Sequence, residues 1–314
     1  MVSSAIDGIR FTAGAIPSKP TVVRTMLLET IVQGIMLGGI YSLVALGVVV
    51  VYKSTKVLNL AYGEILMILA YILYNLLESL ELSTGLSLFI LVVVGALMGL
   101  VLERLVMRPL VGQGFLPMII VTLLLGISLS GIATMIWKDL PKVLPPFIPE
   151  DAISIGGIKI MEVYLWSFIV AMGIFFLAFL FFRYTSIGLD MRVTAEDHTI
   201  AQSMGINVKR IFSLSWVFSG IVAAITGALI GSIGFVDTEM PHVALAKGLP
   251  VLLLGGLESI TGALIGGFII GIAEMLAAVY MGSDVREIIP FAFMLIILIV
   301  RPHGLFGLKT IERI

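Results

Sequence analysis

The chain has 314 residues, of which 59% are hydrophobic and only 12% charged, with a mean hydropathy of +1.15. Soluble domains run at about 45–50% apolar and about 25% charged, so this sequence requires lipid as its solvent. A formal net charge of -1 offers no basic surface for a phosphate backbone, which argues against nucleic acid as a partner, and zero cysteines exclude disulfides, thiolate metal sites and cysteine nucleophiles together.

Residues 1–25 hold Arg10, Lys19, Arg24, Pro17 and Pro20 without the apolar core of a signal peptide, and read as a polar extension. A transmembrane domain over 26–307 and a cytoplasmic tail at 308–314 follow. A bilayer core of about 30 Å takes about 20 helical residues. Five charge-free runs reach that length, at 30–52, 82–102, 115–137, 163–182 and 211–236. Four others, at 65–77, 248–257, 259–274 and 288–300, are too short to cross without placing a charge at membrane depth. The pattern predicts an all-α, polytopic membrane helix bundle with broken or re-entrant helices.

Lysine and arginine orient the bundle. Arg183, Arg192, Lys209 and Arg210 bracket a loop at 184–210, and Arg301, Lys309 and Arg313 follow the last run, so both segments are assigned to the cytoplasm. The loop between 138 and 162 balances its charges, is stiffened by Pro141, Pro145, Pro146 and Pro149, and is assigned outside. The segment 244–282 then has to enter the membrane and return, or dip as a re-entrant pair.

Two stretches interrupt apolar sequence with polar and flexible residues. The first contains Asn59, Tyr62, Gly63 and Glu64, and the second Glu258, Ser259, Thr261 and Gly262. Irregular backbone at membrane depth is tolerated only where protein or a water-filled cavity satisfies it, and paired interruptions in two halves point to a transport site. The expected arrangement is Asn59, Tyr62 and Glu64 facing Glu258, Ser259 and Thr261 across a pore, with Gly63 and Gly262 at positive φ. Tight turns at the interface, with Glu64 and Glu258 in water, are the plainer reading of the same residues. The paired glycines Gly34/Gly38, Gly95/Gly99, Gly227/Gly231, Gly262/Gly266 and Gly267/Gly271 have the small-xxx-small spacing of close helix packing.

In the cytoplasmic loop, Thr194 has the position of an N-cap with Asp197 three residues on, and Gly205 that of a C-terminal stop. A short helix over 194–204 is expected, placing Asp197, Ala201 and Met204 on one face suited to a partner's groove, or else lying against its own bundle.

Six stretches, taken together, resemble the permease subunits of branched-chain amino-acid ABC importers, specifically the shorter of the two permease types. They are Gly39-Ile-Tyr41 to Gly47, Asn59-Leu-Ala-Tyr-Gly-Glu64, Glu103-Arg104 to Arg108-Pro109-Leu110, Arg192 through Asn207, Leu254-Gly-Gly-Leu-Glu-Ser-Ile-Thr-Gly262, and Arg301-Pro-His-Gly-Leu-Phe-Gly307. The resemblance runs from about 29 to 307. It implies a heterodimer with a second permease subunit, two ATPase subunits and an extracytoplasmic solute-binding protein, in a bacterial or archaeal cytoplasmic membrane. It also implies that Arg192, Thr194, Glu196, Asp197, Ala201, Met204 and Gly205 lie in the loop that contacts the ATPase. The chain has no G-x-x-x-x-G-K-[ST], so ATP is used by the partners and no cofactor or metal is expected here. Tyr62 stands where the family usually has His, Glu258 where it usually has Gly, and Lys53 and Lys56 add charge, so urea, short amides or other small carboxylates stay open as solutes. An intramembrane hydrolase is disfavoured because every Asp and His lies outside the five long runs. An ion-coupled secondary transporter using Glu64 and Glu274 is the rival reading.

Overall fold

The computed structural model describes residues 20–307, apart from 111–112, 139, 150 and 156–157. Most of the expected extension, the tail at 308–314 and its Lys309 and Arg313 fall outside the described residues. The chain order is α1 (Pro20–Thr55), α2 (Tyr62–Tyr74), α3 (Thr84–Leu102), α4 (Phe115–Trp137), a hairpin of β1 (Ala152–Ile155) and β2 (Ile158–Met161), α5 (Glu162–Tyr184), α6 (Ser186–Glu196), α7 (His198–Ser203), α8 (Val208–Ile233), α9 (Met240–Gly255), α10 (Ile260–Tyr280) and α11 (Ser283–Val300). Single π-type turns prolong α2 over Asn75–Ser79 and α3 over Glu103–Met107. Among the described residues, α1, α3, α4, α5, α8 and α10 are long and apolar enough to span a bilayer. Each of the five long runs of the sequence falls largely within one of these helices.

Contacts between loops fix which ends lie together. Glu29 of α1 accepts a bond from the Lys159 amide, and Lys142 pairs its backbone with Val236 just after α8. These ends therefore share one side of the bundle, the side that charge placement assigns outside. On the other side, the amides of Leu305 and Phe306 donate to Leu254 and Gly255 at the end of α9, and Lys56 after α1 meets Glu258. The segment 244–282 thus runs one way along α9, a shorter apolar helix, and returns along α10, which is long and apolar enough to span a bilayer. The run 259–274, expected as a broken piece, instead forms part of an unbroken 21-residue helix. Its acid, Glu274, is fully buried but accepts from Tyr41 Oη at 3.1 Å and Arg286 Nε at 2.7 Å, with Lys247 Nζ at 3.4 Å. A carboxylate neutralised by protein does not terminate a span, and this one is tied up within the bundle rather than free to carry an ion.

Lipid tails are as apolar as leucine, so helix association here depends on close backbone approach. Glycines provide it. A Cβ on Gly38 of α1 would meet the Gly267 carbonyl of α10, and one on Gly271 would meet the Gly34 carbonyl, which makes the two helices antiparallel neighbours. Gly95 and Gly99 of α3 lie likewise against Gly220 and Trp216 of α8, and Gly227 against Leu66 of α2. In the cysteine-free chain, a single cysteine replacing Ser154 on β1 is expected to react with an impermeant maleimide in intact cells, and one replacing Ser203 on α7 to be shielded. Labelling of position 203 from outside would reverse the orientation.

Candidate translocation path and coupling surface

The first interruption begins where α1 ends. Lys56 turns the chain at φ 56° and residues 57–61 are not helical. Local side chains hold this segment open: Thr55 Oγ1 accepts from the Val57 amide at 3.2 Å, and Asn59 Oδ1 accepts from the Ala61 amide at 3.2 Å. Such short polar residues offer the backbone an alternative to the helix. From α4, Thr122 Oγ1 donates to the Leu58 carbonyl at 3.2 Å, so part of the irregular backbone is satisfied by protein. The α2 helix then starts at Tyr62, whose ring is buried against Gly47 of α1. A Cβ on Gly63 would lie 2.9 Å from the Pro241 carbonyl, and one on Gly126 of α4 would lie 3.0 Å from the Glu64 carboxyl carbon. Asn59 Nδ2, Tyr62 Oη and Glu64 Oε2 are all buried without a hydrogen-bond partner. These three atoms fall within six residues, with Thr226 of α8 beside Tyr62, and a buried polar group left unpaired is costly.

The segment that meets this break is not the predicted one. Gly63 packs on Pro241 in the first turn of α9, and His242 lies close enough for its charge to act on Glu64. Asp237 Oδ1 caps that turn, accepting from the amides of Glu239 at 3.1 Å and Met240 at 2.9 Å. Glu239 and His242 are exposed. The non-helical segment that leads into this contact is 234–239, between α8 and α9, at the same end of α8 as the Lys142–Val236 bridge. Its sequence signal was an Asp followed by a Pro at the end of a span.

Glu258, Ser259, Thr261 and Gly262 sit instead at the turn between α9 and α10, at the opposite end of α9 from Pro241. Glu258 pairs with Lys56 at 2.5 Å. Ser259 Oγ accepts from the Gly262 amide at 2.9 Å as the cap of α10 and lies 3.2 Å from Thr261 Oγ1. Neither Gly63 nor Gly262 has positive φ; among the described glycines that conformation belongs to Gly205, Gly256, Gly282 and Gly304. Gly63 and Gly262 are required for space, the latter because a Cβ would meet the Gly255 backbone.

The expected single helix over 194–204 is two helices. Thr194 is buried inside α6, with its hydroxyl unpaired, and is not a cap. Asp197 is the N-cap of α7, accepting from the amides of Thr199 at 2.6 Å and Ile200 at 3.0 Å. An ionised carboxylate accepts more strongly than a hydroxyl, and these two bonds hold the exposed Asp197 carboxyl below the usual range. Gly205, at φ 83°, ends the turn as expected. Arg192, Glu196 and Met204 are exposed, as is Ile200. Ala201 is not: it is fully buried in a small cluster with Val208 and Phe212 of α8. A larger residue there would collide with this chain before reaching any groove of a partner.

That cluster joins the loop to the break. His198 sets its ring edge on Phe212, centroids 5.3 Å apart, and one residue on, Ser213 Oγ donates to the buried Glu103 at 2.8 Å. Arg108 grips the same carboxylate through Nε at 3.0 Å and an Nη at 2.8 Å. Further along α8, Ser219 Oγ donates to the carbonyl of Gly47, the residue against which Tyr62 lies. One rigid helix thus touches both the cytoplasmic loop and the polar break.

Helices of alternating direction, six of those described being long and apolar enough to span a bilayer, a polar break inside the bundle and an exposed two-helix loop are the features of a multi-pass membrane permease. The family described as "Branched-chain amino acid transport system / permease component" matches residues 30–298, and the chain belongs to it. It is 29% identical over 306 residues to the high-affinity branched-chain amino acid transport system permease protein LivH of Escherichia coli K12, covering 91% of this chain and 97% of that one. It is 28% identical over 300 residues to BraD, the protein of the same description in Pseudomonas aeruginosa, covering 91% and 98%. A probable branched-chain amino acid transport permease of Methanocaldococcus jannaschii, also LivH, is 29% identical over 311 residues, covering 92% and 98%. No solved structure gives a significant match.

Proposed function

We propose that this chain is one of two permease subunits of an ABC importer that carries branched-chain or closely related small amino acids into the cytoplasm. The observation that carries the path is the group of unpaired polar atoms on Asn59, Tyr62 and Glu64, next to the first turn of α9. Freed backbone and side-chain groups of this kind offer a zwitterion successive weak contacts, which suits passage better than a deep binding well. Glu239 and His242 are exposed beside this break, and ionisable groups at membrane depth face protein or water rather than lipid. The second permease subunit, in this reading a different chain, covers that face and closes the path. Two ATPase subunits dock on the exposed residues of α6 and α7 and supply the energy of ATP hydrolysis, so this subunit needs no cofactor. An extracytoplasmic binding protein selects and delivers the solute.

In proteoliposomes holding the full set of subunits, Glu64→Gln and Tyr62→Ala should each lower ATP-driven uptake about tenfold or change solute preference, equivalent to about 1.4 kcal/mol on a rate. Assembly should be unaffected. Both variants transporting like the unmodified complex across a solute panel, while Leu124→Trp on the outer face of α4 blocks it, would move the path elsewhere.

A further inference from the structure

We propose that Lys56 and Glu258 form an ionic latch that positions the cytoplasmic mouth of the path and opens in each transport cycle. The proposal rests on the importer reading above. Lys56 follows the last turn of α1 and Glu258 lies in the α9–α10 turn, 202 residues apart in sequence, yet Lys56 Nζ lies 2.5 Å from Glu258 Oε1. This ion pair ties the end of α1, where the first interruption begins, to the turn below α9, whose other end meets Gly63.

The backbone on both sides is specialised. The Lys56 amide still donates to the Tyr52 carbonyl at 2.8 Å, so this lysine closes α1 at φ 56°, a position where glycine is the usual residue. A lysine there gives up conformational ease and gains a charge aimed at Glu258. The opposite turn is held from behind. Gly256 has φ 102°, a Cβ on it would lie 2.7 Å from the Gly307 amide nitrogen, and Leu305 and Phe306 donate to Leu254 and Gly255 at 2.8 and 3.1 Å. With Glu258 thus anchored, separation has to come from the α1 end.

A means of separation is adjacent. Lys53, one turn earlier in α1, lies over the Phe182 ring with its Nζ 5.9 Å from the centroid, and α1 is in contact with α6, which carries Arg192. Displacement of α6 by a docked ATPase therefore changes the field at the end of α1, and Lys53 offers Glu258 a second cation when Lys56 leaves. The side chains of Lys56 and Glu258 are 38% and 24% exposed, and a pair reached by water is weak enough to break within a cycle.

Because the chain has no cysteine, the latch can be tied deliberately. The double variant Lys56→Cys/Glu258→Cys, assembled with its partner subunits in proteoliposomes, would be treated with a short reducible bis-methanethiosulfonate. Linkage should form in the resting complex, lower ATP-driven uptake at least about tenfold, be reversed by reductant, and form poorly in the vanadate-trapped state. Singly, Lys56→Glu and Glu258→Lys should each slow uptake about two- to fivefold, and the exchanged pair Lys56→Glu/Glu258→Lys should recover most of it. A role in packing alone would not be rescued by exchange. Failure to link, a linked complex that transports at the unlinked rate, or single variants that behave like the unmodified chain would overturn the latch. If the unmodified complex shows no ATP-driven uptake at all, the importer reading falls and the latch with it; uptake that survives linkage overturns the latch alone.

Discussion

Valine at position 38 should prevent the bundle from assembling. The space beyond Gly38 is filled by the Gly267 carbonyl, and a Cβ added there would lie 2.8 Å from the Gly267 carbonyl carbon and 3.0 Å from the Phe268 Cα. All are backbone atoms, so no side chain can swing aside, and α1 and α10 would have to separate. Their contact is the most extensive between any two helices described, and it also carries the Ser42 hydroxyl bond to the Leu264 carbonyl at 3.3 Å. Overpacking typically costs about 1–3 kcal/mol, and a clash between two backbones belongs at or above the top of that range. Gly173→Val on α5, where nothing lies within 4 Å, is the matched control. Quantifying folded protein in detergent by size exclusion, we expect near-complete loss for Gly38→Val and little change for Gly173→Val. A well-folded Gly38→Val protein would show that the α1–α10 contact has slack.

Arg286→Ala should be the most damaging change among the charged residues. The Glu274 carboxylate is fully buried, and Arg286 supplies its shortest contact at 2.7 Å, against 3.1 Å from Tyr41 and 3.4 Å from Lys247. Arg286 is itself 41% exposed, and Tyr41 and Lys247 stay in contact with the carboxylate, so its loss should cost less than the about 3–5 kcal/mol of breaking a fully buried pair, and removing both charges should cost less still. The double variant Arg286→Ala/Glu274→Gln should therefore melt above the single variant, and Glu274→Gln alone should fall between the single arginine variant and the unmodified protein. Thermal unfolding in detergent makes the comparison. An Arg286→Ala protein as stable as the parent, or a double variant no better than the single, would mean that this cluster does not hold α10 and α11 together.

Much of this protein is legible from its residues alone. The need for lipid, the five long spans and the first interruption at Asn59 to Glu64 are set by run length, charge content and short polar residues, all of which act locally. The glycine pairs likewise announced close packing, though not which helix would meet which. Tertiary structure decided the rest. Nothing near Glu258 shows that it will meet Lys56, 202 residues away, and nothing near Gly63 names Pro241 as its neighbour. Thr194 and Asp197 are both good caps on paper; burial of Thr194 within α6 left the role to Asp197. Ala201 has the spacing of an exposed contact residue but is covered by Phe212, because the chain folds back after Gly205 into α8. Glu274 breaks the apolar run in sequence and not the helix in space. A carboxylate has one sequence signature whether it faces lipid, water or a cation, and only the packing of distant helices supplies the cation.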